Sequence, residues 1–358
     1  MGTKEYINSG LFKKDVPNLE DVVVIEGVAH FMQERERESN MDMEGISHRM
    51  VSVNGINMHL AEKGDGPIVL LLHGFPELWY SWRHQINGLA AHGFRAVAPD
   101  MRGYGATDAP AAASSYTVFH IVGDLVALID TLGQDQVYVV GHDWGAYMAW
   151  HLGLFRADKV KGLVALSVAF MPRNPAMKIL DFLRTLYGDD YYMCRFQEAG
   201  AAEADFAHTG TAVALKKILT LREPGPVIVP KGRSADWHNK PLTLPNWLSE
   251  DDIRYYAENF DKTGFTGGFN YYRNVDVNWE LTAPWTGAKV TVAAKFIVGE
   301  LDLTYDSMGI RDYINSGQFK KDVPFLEDAV VMEGAAHFIQ QEKPDEITAH
   351  ILDFIQKH

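Results

Sequence analysis

The stretch Val137-Tyr138-Val139-Val140-Gly141-His142-Asp143-Trp144-Gly145-Ala146 decides the fold. A strand pattern, Gln136 to Val140, runs into a Gly-x-Asp-x-Gly pentad, and a helical pattern, Ala146 to Phe155, follows at once. A strand that turns directly into a helix needs small residues on both sides of the turn. The residue between them is then pushed off the sheet's carboxyl edge. That central residue is commonly a serine. Here it is Asp143, so a serine nucleophile is excluded at this position. A carboxylate there can attack carbon directly and form an alkyl ester.

Working outward, the same alternation continues. Met50 to Val53 and Ile56 to Ala61 flank Asn54-Gly55 and read as a β-hairpin. Ile68 to Leu72 is a continuous apolar run, which suits a buried strand, and it empties into His73-Gly74-Phe75-Pro76. A helix from Ser81 to Ala91, a strand from Arg95 to Ala98 and a helix from Val118 to Leu132 precede the pentad. A strand from Val160 to Ser167 follows it. Strands alternating with helices imply a mostly parallel sheet with helices on both faces. From Met171 to about Thr282 the chain turns rich in aromatics, Pro and Gly, with short helical stretches and no clear strand. Strand pattern returns at Val290 to Val298 and Asp328 to Glu333, and a last helix runs from Pro344 to Gln356. The reading is an α/β-hydrolase fold. Its core is built from residues 43–170 and 285–358, and residues 171–284 are inserted as a helical lid over the substrate site.

That fold orders its partners as nucleophile, then an acid after a later strand, then a histidine after the last one. Strand Lys295 to Val298 ends in Gly299-Glu300-Leu301-Asp302, and strand Asp328 to Glu333 ends in Gly334-Ala335-Ala336-His337. Asp143, Asp302 and His337 fit the order, with Glu300 and Asp306 as competitors for the acid. An imidazole with a reference pKa near 6.5 can serve as a base near neutrality, and the acid would fix its tautomer. His73-Gly74-Phe75-Pro76 falls where the fold builds half of an oxyanion hole. The backbone N–H groups of Phe75 and Trp144 would be its donors. A cis bond before Pro76 suits so tight a loop.

At this point four motifs are similar to those of plant soluble epoxide hydrolases. They are His73-Gly74-Phe75-Pro76-Glu77, Pro99-Asp100-Met101-Arg102-Gly103-Tyr104-Gly105, Gly141-His142-Asp143-Trp144-Gly145 and Gly268-Phe269-Asn270-Tyr271-Tyr272-Arg273-Asn274. The resemblance spans about Met41 to His358. It implies that two lid tyrosines hold the epoxide oxygen. By position these are Tyr192, in Tyr191-Tyr192-Met193-Cys194-Arg195-Phe196-Gln197, and Tyr272. It also implies that Glu77 positions the water. The substrates it implies are lipophilic epoxides, usually of fatty acids, turned into vicinal diols. The chemistry agrees: a strained ring with a poor alkoxide leaving group needs an acid at its oxygen, and a phenol stays neutral until called on.

Two rivals have to be weighed. A haloalkane or haloacid dehalogenase shares the Asp elbow, the acid and the histidine, but needs halide donors rather than two phenols. A non-catalytic ligand receptor on the same fold resembles a serine hydrolase at the elbow, where this chain has Asp143.

The 358 residues carry 33 Lys and Arg against 47 Asp and Glu, a formal net charge of −14. Such a surface repels phosphate backbones, which argues against nucleic acid as a partner. No apolar run is long enough to span a bilayer. The one cysteine, Cys194, allows no intrachain disulfide, and with no signal-peptide core at the start the expected location is the cytoplasm. No metal-ligand cluster or nucleotide fingerprint stands out, so no cofactor is expected.

One departure is a duplication. Tyr6 to Gln33 repeats Tyr313 to Gln340 at 22 of 28 positions. Residues 1–42 read as a second copy of the C-terminal segment plus a linker. The first copy brings its own His30 but neither the acid nor the closing helix, so His30 reads as a bystander. The copy is a possible route to oligomers by exchange of an edge strand.

Overall fold

The computed structural model describes residues 43–230 and 242–358. The readings made for residues 1–42, including the duplicated copy and His30, lie outside the described residues. Gly45–His358 cluster as one unit.

Its sheet has eight strands: β1 (Ser47–Val53), β2 (Ile56–Lys63), β3 (Ile68–Leu72), β4 (Arg95–Pro99), β5 (Val137–His142), β6 (Val160–Leu166), β7 (Ala294–Gly299) and β8 (Leu326–Met332). Their order is β1-β2-β4-β3-β5-β6-β7-β8. The β1–β2 and β2–β4 pairs are antiparallel and the remaining neighbours parallel. Strands β3, β5 and β7 bury every residue. That burial is why their sequences are mostly apolar rather than alternating, with Lys295 in β7 and His142 at the end of β5 as the polar members. The expected α/β-hydrolase architecture is what the chain adopts.

Several boundaries differ from the sequence reading, among them β1, which starts at Ser47 rather than Met50, and β8, which starts at Leu326 rather than Asp328. The helix expected from Ser81 begins as a 3-10 turn, Trp79–Trp82, and becomes α-helical at Arg83–Ala91. The strand expected from Val290 starts only at Ala294. Val290 is buried all the same, but its N–H donates to the Asp322 carbonyl instead of a ladder partner (3.1 Å).

Among the described residues, the chain between β6 and β7 is helical. It runs through Ile179–Tyr187, Tyr192–Arg195, Ala201–Thr209, Thr211–Leu219, Glu250–Thr263, Thr266–Arg273 and Val275–Leu281. Ser249 and Asp252 cap the Glu250 helix reciprocally, each side chain meeting the other's backbone N–H. Asp252 also takes the Arg83 guanidinium at 3.1 Å and the Tyr80 hydroxyl at 2.8 Å, with both ionic partners buried. These bonds tie the insertion to the core beside the mouth of β3.

The turn between β5 and helix Trp144–Phe155 is the tightest point of the fold. Asp143 has φ +52° and ψ −119°, in the region L-residues rarely adopt. A methyl on Gly141 would overlap the Gly145 carbonyl, and one on Gly145 would overlap the Leu72 carbonyl of β3. Gly145→Ala therefore should cost about 3 kcal/mol or more of stability, since no side chain can move aside. Denaturant unfolding measures this; an unchanged midpoint would contradict the packing argument.

Candidate active site

The strand ends bring the three expected polar residues together. His337, after β8, places Nε2 3.5 Å from Oδ2 of Asp143 and Nδ1 2.9 Å from Oδ1 of Asp302, which follows β7. The competing acids Glu300 and Asp306 lie elsewhere. Glu300 accepts from the Gly334 N–H, and Asp306 pairs with Arg311. The Asp302 carboxylate is further held by the N–H and hydroxyl of Thr304, at 2.8 and 2.9 Å.

The expected oxyanion loop is adjacent. The Phe75 N–H donates to Oδ1 of Asp143 at 2.8 Å, and the Phe75–Pro76 bond is cis. Trp144 opens the helix that follows Asp143, and its ring stands edge-on to Tyr272 with centroids 5.0 Å apart. Tyr192 and Tyr272 come from two different lid helices, yet their ring centroids are 5.8 Å apart. Both line one cavity with Asp143, His337 and Phe75. The rest of that lining is apolar and includes Phe196, Ile218, Leu221, Leu303 and Phe338.

Glu77 is fully buried and is not among the residues lining this cavity. Its carboxylate takes His142 Nδ1 at 2.7 Å, the Gln340 and Gln341 amides at 2.8 and 2.9 Å, and the Gly74 N–H at 3.3 Å. His142 uses its other nitrogen on the His337 carbonyl, at 2.8 Å, and the Ser167 hydroxyl donates to that same carbonyl at 2.9 Å. Sequence reasoning missed this layer of His142, Ser167, Gln340 and Gln341. His142 sits inside the Gly141–Gly145 pentad, and that position was the one available signal. The others become meaningful only when the strand ends converge.

Charge follows from the spacing. Burial alone would drive the His337 imidazole down. The Asp302 charge and the hydrogen bonds and charge of Asp143 outweigh it, and hold His337 well above its ordinary 6.5. Burial pushes Asp143 up, but the hydrogen bond and charge of His337, helped by His142 and the Phe75 N–H, bring it below 3.8. Asp302 ends below 3.8 for the same reason, with the His337 charge opposing burial. The two phenols move the other way. Burial first, then neighbouring phenols and the Asp143 charge, raise Tyr192 and Tyr272 well above 10, so both are neutral donors at rest.

Known proteins similar to this chain show its family. Residues 67–217 match a family model described as alpha/beta hydrolase fold. Epoxide hydrolase 1 of Siraitia grosvenorii is 61% identical over 316 residues, covering 88% of this chain and 100% of that protein. Epoxide hydrolase A of Mycobacterium tuberculosis is 38% identical over 321 residues, covering 86% of this chain and 97% of that protein. The crystal structure of the epoxide hydrolase VrEH1 from Vigna radiata has a TM-score of 0.84 at 60% identity, covering 88% of this chain and 100% of that one. The chain therefore belongs to the epoxide hydrolases, enzymes of the α/β-hydrolase fold. Among the described residues, no helix is long and apolar enough to cross a membrane.

The buried charges couple stability to pH. The His337 contribution is complete below 6.5 and is lost as pH rises through its raised value. The contributions of Asp143 and Asp302 are complete above 3.8 and are lost as pH falls through their lowered values. In urea unfolding, the stability gap between wild type and His337→Gln should narrow as pH climbs into the alkaline range. A gap independent of pH would contradict the charge assignment.

Proposed function

We propose that this epoxide hydrolase opens lipophilic epoxides, fatty-acid epoxides among them, to vicinal diols through a covalent ester on Asp143. The observation that carries the reading is the facing arrangement. A carboxylate, two neutral phenols and one imidazole share a cavity whose other lining is apolar.

In the first step an Asp143 oxygen attacks one ring carbon and the carbon–oxygen bond of the ring breaks. Tyr192 and Tyr272 donate hydrogen bonds to the departing oxygen and supply its proton. Their raised pKa values keep them protonated for this, and a positioned acid of this kind contributes about 10²–10⁴-fold. The ester that forms no longer carries the Asp143 negative charge. One of the two anions that held His337 protonated is gone, so the imidazole gives up its proton more readily in the ester than in the free enzyme, and that proton restores the phenol that protonated the epoxide oxygen. Neutral His337, oriented by Asp302, then takes a proton from water as the water attacks the ester carbonyl. The Phe75 N–H, 2.8 Å from Asp143 in the resting site, supports the tetrahedral oxyanion, with the Trp144 N–H as the second donor of this reading. Collapse breaks the ester bond and leaves an alkoxide beside a protonated Asp143; that proton passes to the alkoxide to complete the diol, Asp143 returns as a carboxylate and His337 is again protonated. Glu77 acts on the water step through His142 and the backbone of His337 rather than by touching the cavity. The apolar lining favours hydrocarbon arms over sugars.

A single turnover in heavy-oxygen water tests the covalent route. The label should enter the Asp143 carboxylate, and the first diol should be unlabelled. Label in that first diol would eliminate the ester. With His337→Gln, mass spectrometry should detect an accumulated adduct on Asp143, since attack survives while water activation is lost. Asp143→Asn should form no adduct.

A further inference from the structure

Tyr192 and Tyr272 belong to helices that are separate in sequence, Tyr192–Arg195 and Thr266–Arg273. To grip one oxygen, both phenols need a fixed separation that neither helix can set alone. Two side chains span the gap. Gln197 directs a single amide nitrogen at two carbonyls, that of Met193, next to Tyr192, at 2.8 Å and that of Tyr272 itself at 2.9 Å. Arg273, next to Tyr272, sends Nε back to the Phe196 carbonyl at 3.1 Å. Its two terminal nitrogens meet the two Glu203 oxygens at 2.8 and 2.9 Å, and the Arg273 side chain is buried. A bidentate, planar ion pair fixes the guanidinium's direction as well as its position. Both helices are short, so carbonyls near their ends lack ordinary helical partners, and each clamp satisfies such a carbonyl while crossing to the other helix.

We infer that Gln197 and Arg273, the latter aimed by Glu203, are positioning residues that set the distance between the two phenols and hence the rate of epoxide opening. Neither touches the reacting atoms. The inference rests on the reading that both phenols hold the epoxide oxygen. It has a specific kinetic signature. The phenols act in ring opening, whereas water attack on the ester depends on His337, Asp302 and the Phe75 N–H, and the hydrogen bonds of Gln197 and Arg273 go to none of these. Loosening a clamp should therefore slow alkylation and spare ester hydrolysis. A displacement of about 1 Å at a reacting group can cost about 10²-fold.

The test is single-turnover kinetics with an aryl epoxide, resolving alkylation from ester hydrolysis, on Gln197→Leu, Gln197→Glu and Arg273→Lys beside wild type. Tyr192→Phe and Tyr272→Phe serve as controls. Gln197→Leu and Arg273→Lys should lower the alkylation rate constant about tenfold or more and leave ester hydrolysis within about twofold. Gln197→Glu separates positioning from mere packing. As a carboxylate it can donate to neither carbonyl, whereas protonated it donates to one. Its alkylation rate, relative to wild type at the same pH, should climb as pH is lowered. Equal loss in both steps, or a pH-independent ratio for Gln197→Glu, would overturn the clamp. If the two Phe controls alkylate at the wild-type rate, the phenol reading itself fails. If they lose alkylation while the clamp variants keep it, only this inference fails.

Discussion

The strained turn at Asp143 is the constraint on which the remaining geometry depends. A backbone at φ +52° for a residue other than glycine costs of order 1–3 kcal/mol. It persists because β3, β5 and the following helix leave no room for a relaxed alternative: Gly145 lies against the Leu72 carbonyl and Gly141 against the Gly145 carbonyl. The result is a carboxylate held beyond the sheet edge, within reach of a donor from the Phe75 loop and of His337. The strain is thus spent on aim. Every other site element is placed relative to this one side chain.

Around that point the protein assembles charges that would be costly in isolation. A buried carboxylate, Asp302, and a partly buried one, Asp143, flank one imidazole, and the attraction between them outweighs the desolvation each suffers. Beneath them a second layer, Glu77 with His142, Gln340 and Gln341, spends its hydrogen bonds on the loop that carries His337. The cavity face stays nearly free of other polar groups. An apolar lining of this kind lowers the local dielectric and so strengthens each remaining polar interaction.

The lid contributes by bringing phenols to the carboxylate rather than by covering it alone. The buried Arg83–Asp252 pair anchors one lid helix to the core. Gln197 and Arg273 join the two helices that bear Tyr192 and Tyr272. Phenols and carboxylate therefore reach one cavity on separately braced elements. Two neutral phenols facing a carboxylate match an epoxide, whose oxygen leaves only when it is helped. A halide leaves with its own charge and asks for a different set of donors.

Much of this is written in local sequence, because strand and helix patterns and the glycine-flanked turn are short-range. Asp143, the order Asp143–Asp302–His337 and the His73–Pro76 loop followed from residues next to one another in the chain, each at the end of an apolar run. The boundaries at Arg83 and Ala294 did not: the Trp79 N–H at the 3-10 start donates to Asp100 and the Val290 N–H to Asp322, both distant in sequence. Tyr192 and Tyr272 were reached through motif resemblance, as a phenol in an aromatic-rich segment carries no mark of its own. That Asp302 rather than Glu300 or Asp306 meets His337, that Glu77 lies behind the cavity, and that Gln197 bridges two helices were decided by tertiary structure alone. Each depends on where separate elements end up, at separations of a few ångströms, and the chain's local pattern holds no record of those distances.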